Sequence, residues 1–151
     1  MRCVILFDFG RNCFVFGKNY PDFERGFYLV ETDFSIGTDI EDISRFDKYA
    51  KDKNEPFVQR IFTENEIEYC FSFKNPAPHL AVRFSAKEAV YKALCSLGLA
   101  NIEFSQIEIF NEKNGVPKVR LLKEIAENLD FRLSLSHGNG NSLAGVIVIK
   151  R

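Results

Sequence analysis

Hydrophobic and polar positions along the 151 residues change period from one part of the chain to the next. Residues 3–9 and 13–17 are apolar stretches separated by Gly10-Arg11-Asn12. That spacing, with a glycine in the turn, predicts a β-hairpin. Residues 27–30 and 34–40 read as further strand segments. The period then becomes helical over 42–51, where Ile43 and Phe46 lie three apart and are followed by Tyr49 and Ala50. Residues 56–62 read as a turn or helix. Thr63-Glu64-Asn65-Glu66 is a capping box that opens a helix running to about Phe71. Pro76 and Pro78 interrupt the chain. Residues 79–97 carry the longest helical pattern, with Ala86, Val90, Ala93 and Leu97 as its apolar stripe and Gly98 as its C-cap. Residues 104–110 alternate like a strand, 111–117 form an Asn-Gly turn, and 119–129 read as a short strand and a helix. Residues 132–136 and 143–149 predict two closing strands around a loop holding Gly138-Asn139-Gly140. The sum is an α+β fold, with a mostly antiparallel sheet packed on one long helix and an N-terminal strand extension over residues 1–30. No repeat or linker divides it, so a single domain over 1–151 is expected.

Composition narrows the function classes. The chain is 46% apolar with 16 Phe, too apolar for disorder. Twenty Lys+Arg against 21 Asp+Glu leave a net charge of −1, so no global field for nucleic acid exists, only room for a local basic pocket. Cys3, Cys13, Cys70 and Cys95 form no C-x-x-C, and His79 and His137 complete no finger pattern. Zinc and disulfide scaffolds are therefore not expected, and the cysteines read as reduced core thiols. No run is long enough for a signal region or a membrane span, which predicts a soluble, cytoplasmic protein.

Three features offer chemistry. Asp39, in Gly37-Thr38-Asp39-Ile40-Glu41 at a predicted strand end, suits a hard-cation ligand. It also suits a turn or N-cap aspartate. Glu88 and Lys92 are four apart on one helix face, opposite the apolar stripe and flanked by Phe84 and Cys95. They read either as a solvated pair or as an anion and a cation set in an apolar wall, fit for a metal and a phosphate. His137, at a strand end beside Gly138, reads as a base, an anion contact or a surface residue. The Gly138-Asn139-Gly140 amides offer a weak phosphate cradle without P-loop spacing.

GTDIEDISRF, FTENEIEYC, RFSAKEAVYKAL, IEIFNEKNGVPKV and LSLSHG follow one another in an order that resembles the 4'-phosphopantetheinyl transferases. Among these it is most similar to the small bacterial holo-acyl-carrier-protein synthase type. The resemblance covers residues 36–149. It implies transfer of the 4'-phosphopantetheine arm of coenzyme A to a serine of an acyl carrier protein, with release of adenosine 3',5'-bisphosphate. It further implies that Asp39 and Glu88 hold Mg²⁺, that Lys92 lies near the phosphates, and that Arg83, Lys87 and His137 contact coenzyme A. Asn114, Gly115 and Pro117 are then expected along the nucleotide, and Arg45 against the acidic carrier. His137 is also counted with Asp39, Glu88 and Lys92 among the catalytic residues. The nucleophile belongs to the partner, so no Ser-His-Asp set is needed, and the base is open between a metal-bound water, Asp39 through a water, and His137. Small members are typically homotrimers with the coenzyme site between subunits, so a homotrimer is the implied assembly, without nucleic acid or membrane. The chain departs from the small members in its first ~30 residues, which either add strands to the sheet or cover a subunit interface. It also departs at Gly138, where a hydroxyl residue is common, and in what reads as a longer loop to the final strand. A non-catalytic carrier-protein or coenzyme A binding module of the same fold is the alternative function.

Overall fold

The computed structural model describes residues 4–7, 12–16, 29–31, 34–99, 101–125 and 128–151, with side chains from Phe34 onward. The chain divides into two compact units, Met1–Asp33 and Phe34–Arg151. In the first, β1 (Val4–Phe7), β2 (Asn12–Phe16) and β3 (Leu29–Glu31) form an antiparallel sheet in that order, with Val4 opposite Phe16 and Phe7 opposite Cys13. The expected hairpin is present, and its turn lies outside the described residues.

In the second unit, β4 (Phe34–Asp42), β7 (Leu129–Gly138) and β8 (Asn141–Lys150) make an antiparallel sheet of order β4-β8-β7. Alternation sets its faces: Ser35 and Gly37 point inward on β4, while Phe34, Ile36 and Ile40 point outward. On β8, Ser142, Ala144, Val146 and Val148 point inward. Asn139 and Gly140 both have positive φ and join β7 to β8 by a two-residue turn, so the loop expected to be long is tight.

α1 (Pro56–Ile61) and α2 (Glu64–Phe71) precede α3 (Ala77–Ser96), and both halves of the Thr63/Glu66 capping box form. Pro76 and Pro78 occupy the start of α3, where their missing amides cost nothing, so this helix begins two residues earlier than the pattern predicts. Gly98, at φ +73°, ends it as expected. Two stretches differ from expectation. Residues 43–51 form two 3₁₀ turns, Ile43–Phe46 and Tyr49–Lys51, because β4 stays paired to β8 through Asp42, whose carboxylate then accepts from the Ser44 amide. Phe104–Gln106 is also a 3₁₀ turn, and it leads into β5 (Ile107–Asn111), which pairs with β6 (Pro117–Leu121). No helix follows β6 among the described residues.

α3 organises the unit. Ala86, Ala89, Val90 and Ala93 pack on the sheet, together with Ile107 and Ile109 from β5. Toward its start, Ala77, Leu80 and Ala81 join Phe46, Val58, Phe62 and Ile67 in a second cluster. Burial on several sides explains why its apolar pattern is broader than one stripe. The approach of β4 to α3 is close: a Cβ on Gly37 would sit 1.8 Å from the Ala89 carbonyl oxygen, and Ser35 Oγ donates to the Ala93 carbonyl at 2.8 Å. Gly37→Ala is therefore expected to force the helix off the strand, at a cost of about 1–3 kcal/mol or more. A lowered urea midpoint with an unchanged slope checks this.

Lys87 sits in the core at 0% exposure. Its ammonium meets Glu66 Oε2 at 2.7 Å and donates to the carbonyls of Phe104, at 2.8 Å, and Ile107. Glu66 also accepts from the Thr63 and Ile109 amides, so one carboxylate and one ammonium lock α2, α3 and β5 together. Burial holds the Lys87 amine below the usual lysine range, and Glu66 opposes that shift.

Candidate active site

The inner face of β4 presents Asp39 to α3, three residues before the strand ends rather than at its end. Lys92 Nζ lies 2.7 Å from Asp39 Oδ1 and donates to the Thr38 carbonyl at 3.2 Å. The Asp39 side chain is 11% exposed and that of Lys92 50%. The i,i+4 spacing suggested Glu88 as the partner of Lys92, but the strand carboxylate takes that place. Its hydrogen bond raises the Lys92 amine above the ordinary range. Asp39 Oδ2 is buried and has no hydrogen-bond partner among the described residues. Glu88 is partly buried, and desolvation raises its carboxyl, followed by the negative charges of Asp39 and Glu41, with Lys92 opposing. Glu41 was quoted in the sequence motif without a role. It follows Asp39 by two strand positions, which turns it to the same face. Its side chain is 10% exposed and ion-pairs with Arg45, which is 65% exposed on the first 3₁₀ turn.

These residues suit a hard divalent cation. A buried carboxylate oxygen lacks a donor among the described residues, and a second carboxylate is raised by desolvation and by the negative charges beside it. Among the described residues no three His, Cys, Asp or Glu side chains converge on one point. Two carboxylates, with the remaining positions left to phosphate oxygens and water, are what Mg²⁺ commonly takes from a protein.

Arg83 lies five residues before Glu88, about 140° around the helix at ~100° per residue, and belongs to a different cluster. Its guanidinium stacks 3.9 Å above the Tyr69 ring, and its buried Nε is unpartnered among the described residues. His79, one turn earlier, stacks on Phe73 at 3.7 Å. Burial lowers the His79 imidazole, and the positive charges of Arg83 and His137 lower it further. Arg83 and His79 thus share one cluster, in which Arg83 supplies the fixed positive charge and His79 is held toward its neutral form. Within one chain His137 is separated from the β4 carboxylates by β8, since it pairs with Ser142, which pairs with Glu41. His79 entered the sequence analysis only as a non-ligand of zinc; its place one turn before Arg83 was the available signal.

Two expectations change, at Lys87 and at Cys95. Lys87, expected on coenzyme A, has its ammonium enclosed by Glu66 and two carbonyls and serves the core. The residues expected along the nucleotide lie in one hairpin, where Asn114 Oδ1 accepts from the Val116 amide at 3.0 Å, Gly115 holds φ +86° and Pro117 opens β6. That hairpin reaches the Arg83 group through Asn111 Nδ2, 3.4 Å from the Tyr69 hydroxyl. Cys95, expected in the core, is exposed, and Cys70 is buried with its thiol pushed up to about 12 by desolvation. The Gly138-Asn139-Gly140 segment is a hairpin turn, whose Gly140 carbonyl accepts from the Ile43 amide.

Known proteins resemble this chain in sequence and in fold. A holo-[acyl-carrier-protein] synthase from Geotalea daltonii is 36% identical over 124 residues, spanning 78% of this chain and 98% of the relative. One from a Geobacter species is 40% identical over 123 residues, spanning 76% and 97%. The solved Helicobacter pylori holo-[acyl-carrier-protein] synthase in complex with coenzyme A is 32% identical, covers 75% of this chain and 98% of its own, and superposes with a TM-score of 0.63. Residues 35–146, which hold Asp39, Glu88 and Lys92 together, match the family model of the 4'-phosphopantetheinyl transferase superfamily, and the chain belongs to that family.

Proposed function

We propose that this chain transfers 4'-phosphopantetheine from coenzyme A to a serine of an apo acyl carrier protein. The observation that carries this reading is the convergence of Asp39, Glu88 and Lys92 from a strand and a helix, with Asp39 Oδ2 left without a donor among the described residues. Asp39 and Glu88 are the residues that would hold Mg²⁺, which when bound would neutralise charge on the coenzyme A pyrophosphate. The carrier serine oxygen bonds to the pantetheine-side phosphorus, the bridging P–O bond breaks, and adenosine 3',5'-bisphosphate departs.

Lys92 is half exposed and anchored by Asp39 and the Thr38 carbonyl, so one donor remains for a phosphate oxygen, which gains a fixed positive charge there. Arg83, buried on Tyr69 with its Nε unpartnered among the described residues, is a second positive charge that a phosphate of the nucleotide would neutralise. Arg45 stands exposed beside the metal pair, ready for carboxylates of the carrier. Ser35, Gly37 and the Lys87–Glu66 lock keep strand and helix fixed, so the carboxylates need little reorganisation.

The outer sheet face exposes Phe34, Ile36, Ile40, Leu143 and Ile147. A contiguous apolar face of this kind favours self-association, which supports a homotrimer. No helix among the described residues is long and apolar enough to cross a membrane. The reading places the protein in the cytoplasm with its coenzyme and carrier. A binding module without catalysis would not need a carboxylate pair and an anchored ammonium at one point.

Apo carrier protein incubated with the chain, coenzyme A and Mg²⁺ should gain the mass of one phosphopantetheine by mass spectrometry. An unmodified carrier with active controls would overturn the reading. Arg45→Glu is expected to raise the KM for carrier much more than that for coenzyme A, with the difference shrinking as salt screens the charges. Steady-state kinetics at low and high ionic strength check it.

A further inference from the structure

We propose that Glu41 couples the two halves of the site, so that an anionic partner taking Arg45 tightens the hold of Asp39 and Glu88 on a divalent cation. This rests on the functional reading above, in which Arg45 meets the carrier and the two carboxylates hold Mg²⁺.

Glu41 shares the inner face of β4 with Asp39 and is nearly buried, while its only ion-pair partner among the described residues is the well-exposed Arg45. Lys92, the other cation nearby, is already engaged by Asp39 at 2.7 Å. At the inner face Asp39, Glu41 and Glu88 stand against Lys92 and Arg45, −3 against +2, and Asp42 at the end of β4 adds a further negative charge within reach of Arg45. When an acidic group of a carrier claims the Arg45 guanidinium, Glu41 loses its counter-charge in a place that water reaches poorly. The site then carries a more negative field at Glu88, and a divalent cation relieves it. Such linkage is reciprocal: the cation must tighten carrier binding by the same factor. Glu41 acts here as a positioning and charge-coupling residue, and it is not a ligand.

The test uses the full chain without coenzyme A, titrated with Mn²⁺ in place of Mg²⁺ and followed by the EPR signal of the free ion. Saturating apo acyl carrier protein should lower the Mn²⁺ dissociation constant of the wild type about fivefold, the lower end of usual coupling. Glu41→Gln should weaken Mn²⁺ binding and abolish the carrier effect. Arg45→Gln should tighten Mn²⁺ binding without carrier by a similar factor to the one carrier produces in the wild type. The two variants move in opposite directions, which loss of folding cannot mimic. An undiminished carrier effect in Glu41→Gln, or wild-type Mn²⁺ affinity in Arg45→Gln, would overturn the coupling alone. Mn²⁺ affinity unchanged by Glu88→Ala would instead overturn the metal reading beneath it.

Discussion

Glu88→Ala is expected to cost about 10²–10³-fold or more in kcat while the fold persists, because a preorganised charge at a reacting phosphate is worth roughly 3–4 kcal/mol. Glu88 makes no hydrogen bond or ion pair among the described residues and sits beside like charges, so its removal relieves repulsion and leaves no partner stranded. Stability should therefore stay level or rise slightly, while turnover collapses. Glu88→Gln keeps the shape and removes the charge, and it should fall nearly as far as alanine. Steady-state rates with saturating coenzyme A and carrier, together with urea unfolding of the same samples, measure both halves. Near-normal turnover by either variant would remove Glu88 from the metal pair.

Lys87→Met is expected to have the opposite profile, with a large loss of stability. It deletes one member of a fully buried pair and leaves the Glu66 carboxylate facing the core without its cation, which typically costs 3–5 kcal/mol. The carbonyls of Phe104 and Ile107 lose their donor as well. Adding Glu66→Gln removes the stranded charge and should recover part of the loss. Denaturant midpoints of the two single variants and the double variant give the coupling directly. A Lys87→Met midpoint within experimental error of wild type would show that the ammonium is not part of the lock.

Much of the local structure was legible in the residues. The Thr63/Glu66 capping box, the Asn114-Gly115 turn, the Gly98 cap and the alternation of β4 and β8 act within a few positions, so spacing reveals them. The 3₁₀ turns after β4 were not legible, because strand pairing through Asp42 decides where the helical stretch can begin. Lys87 and Lys92 sit five apart in one motif and look alike as letters. One is enclosed by α2 and β5, and the other reaches across to β4 from 53 residues away.

By itself, the order of residue types determined the α+β class, the places of the long helix and the main strands, and the presence of two carboxylates and a lysine able to serve a metal and a phosphate. Packing decided which groups meet. Because Gly37 lets β4 lie against α3, Lys92 pairs with Asp39 and not with its helical neighbour Glu88, and Glu41 and Arg45 join the same cluster. Helical rotation carries Arg83 and His79 to another side, beside His137. Charges act over a few ångströms through space, and only the folded chain sets those distances.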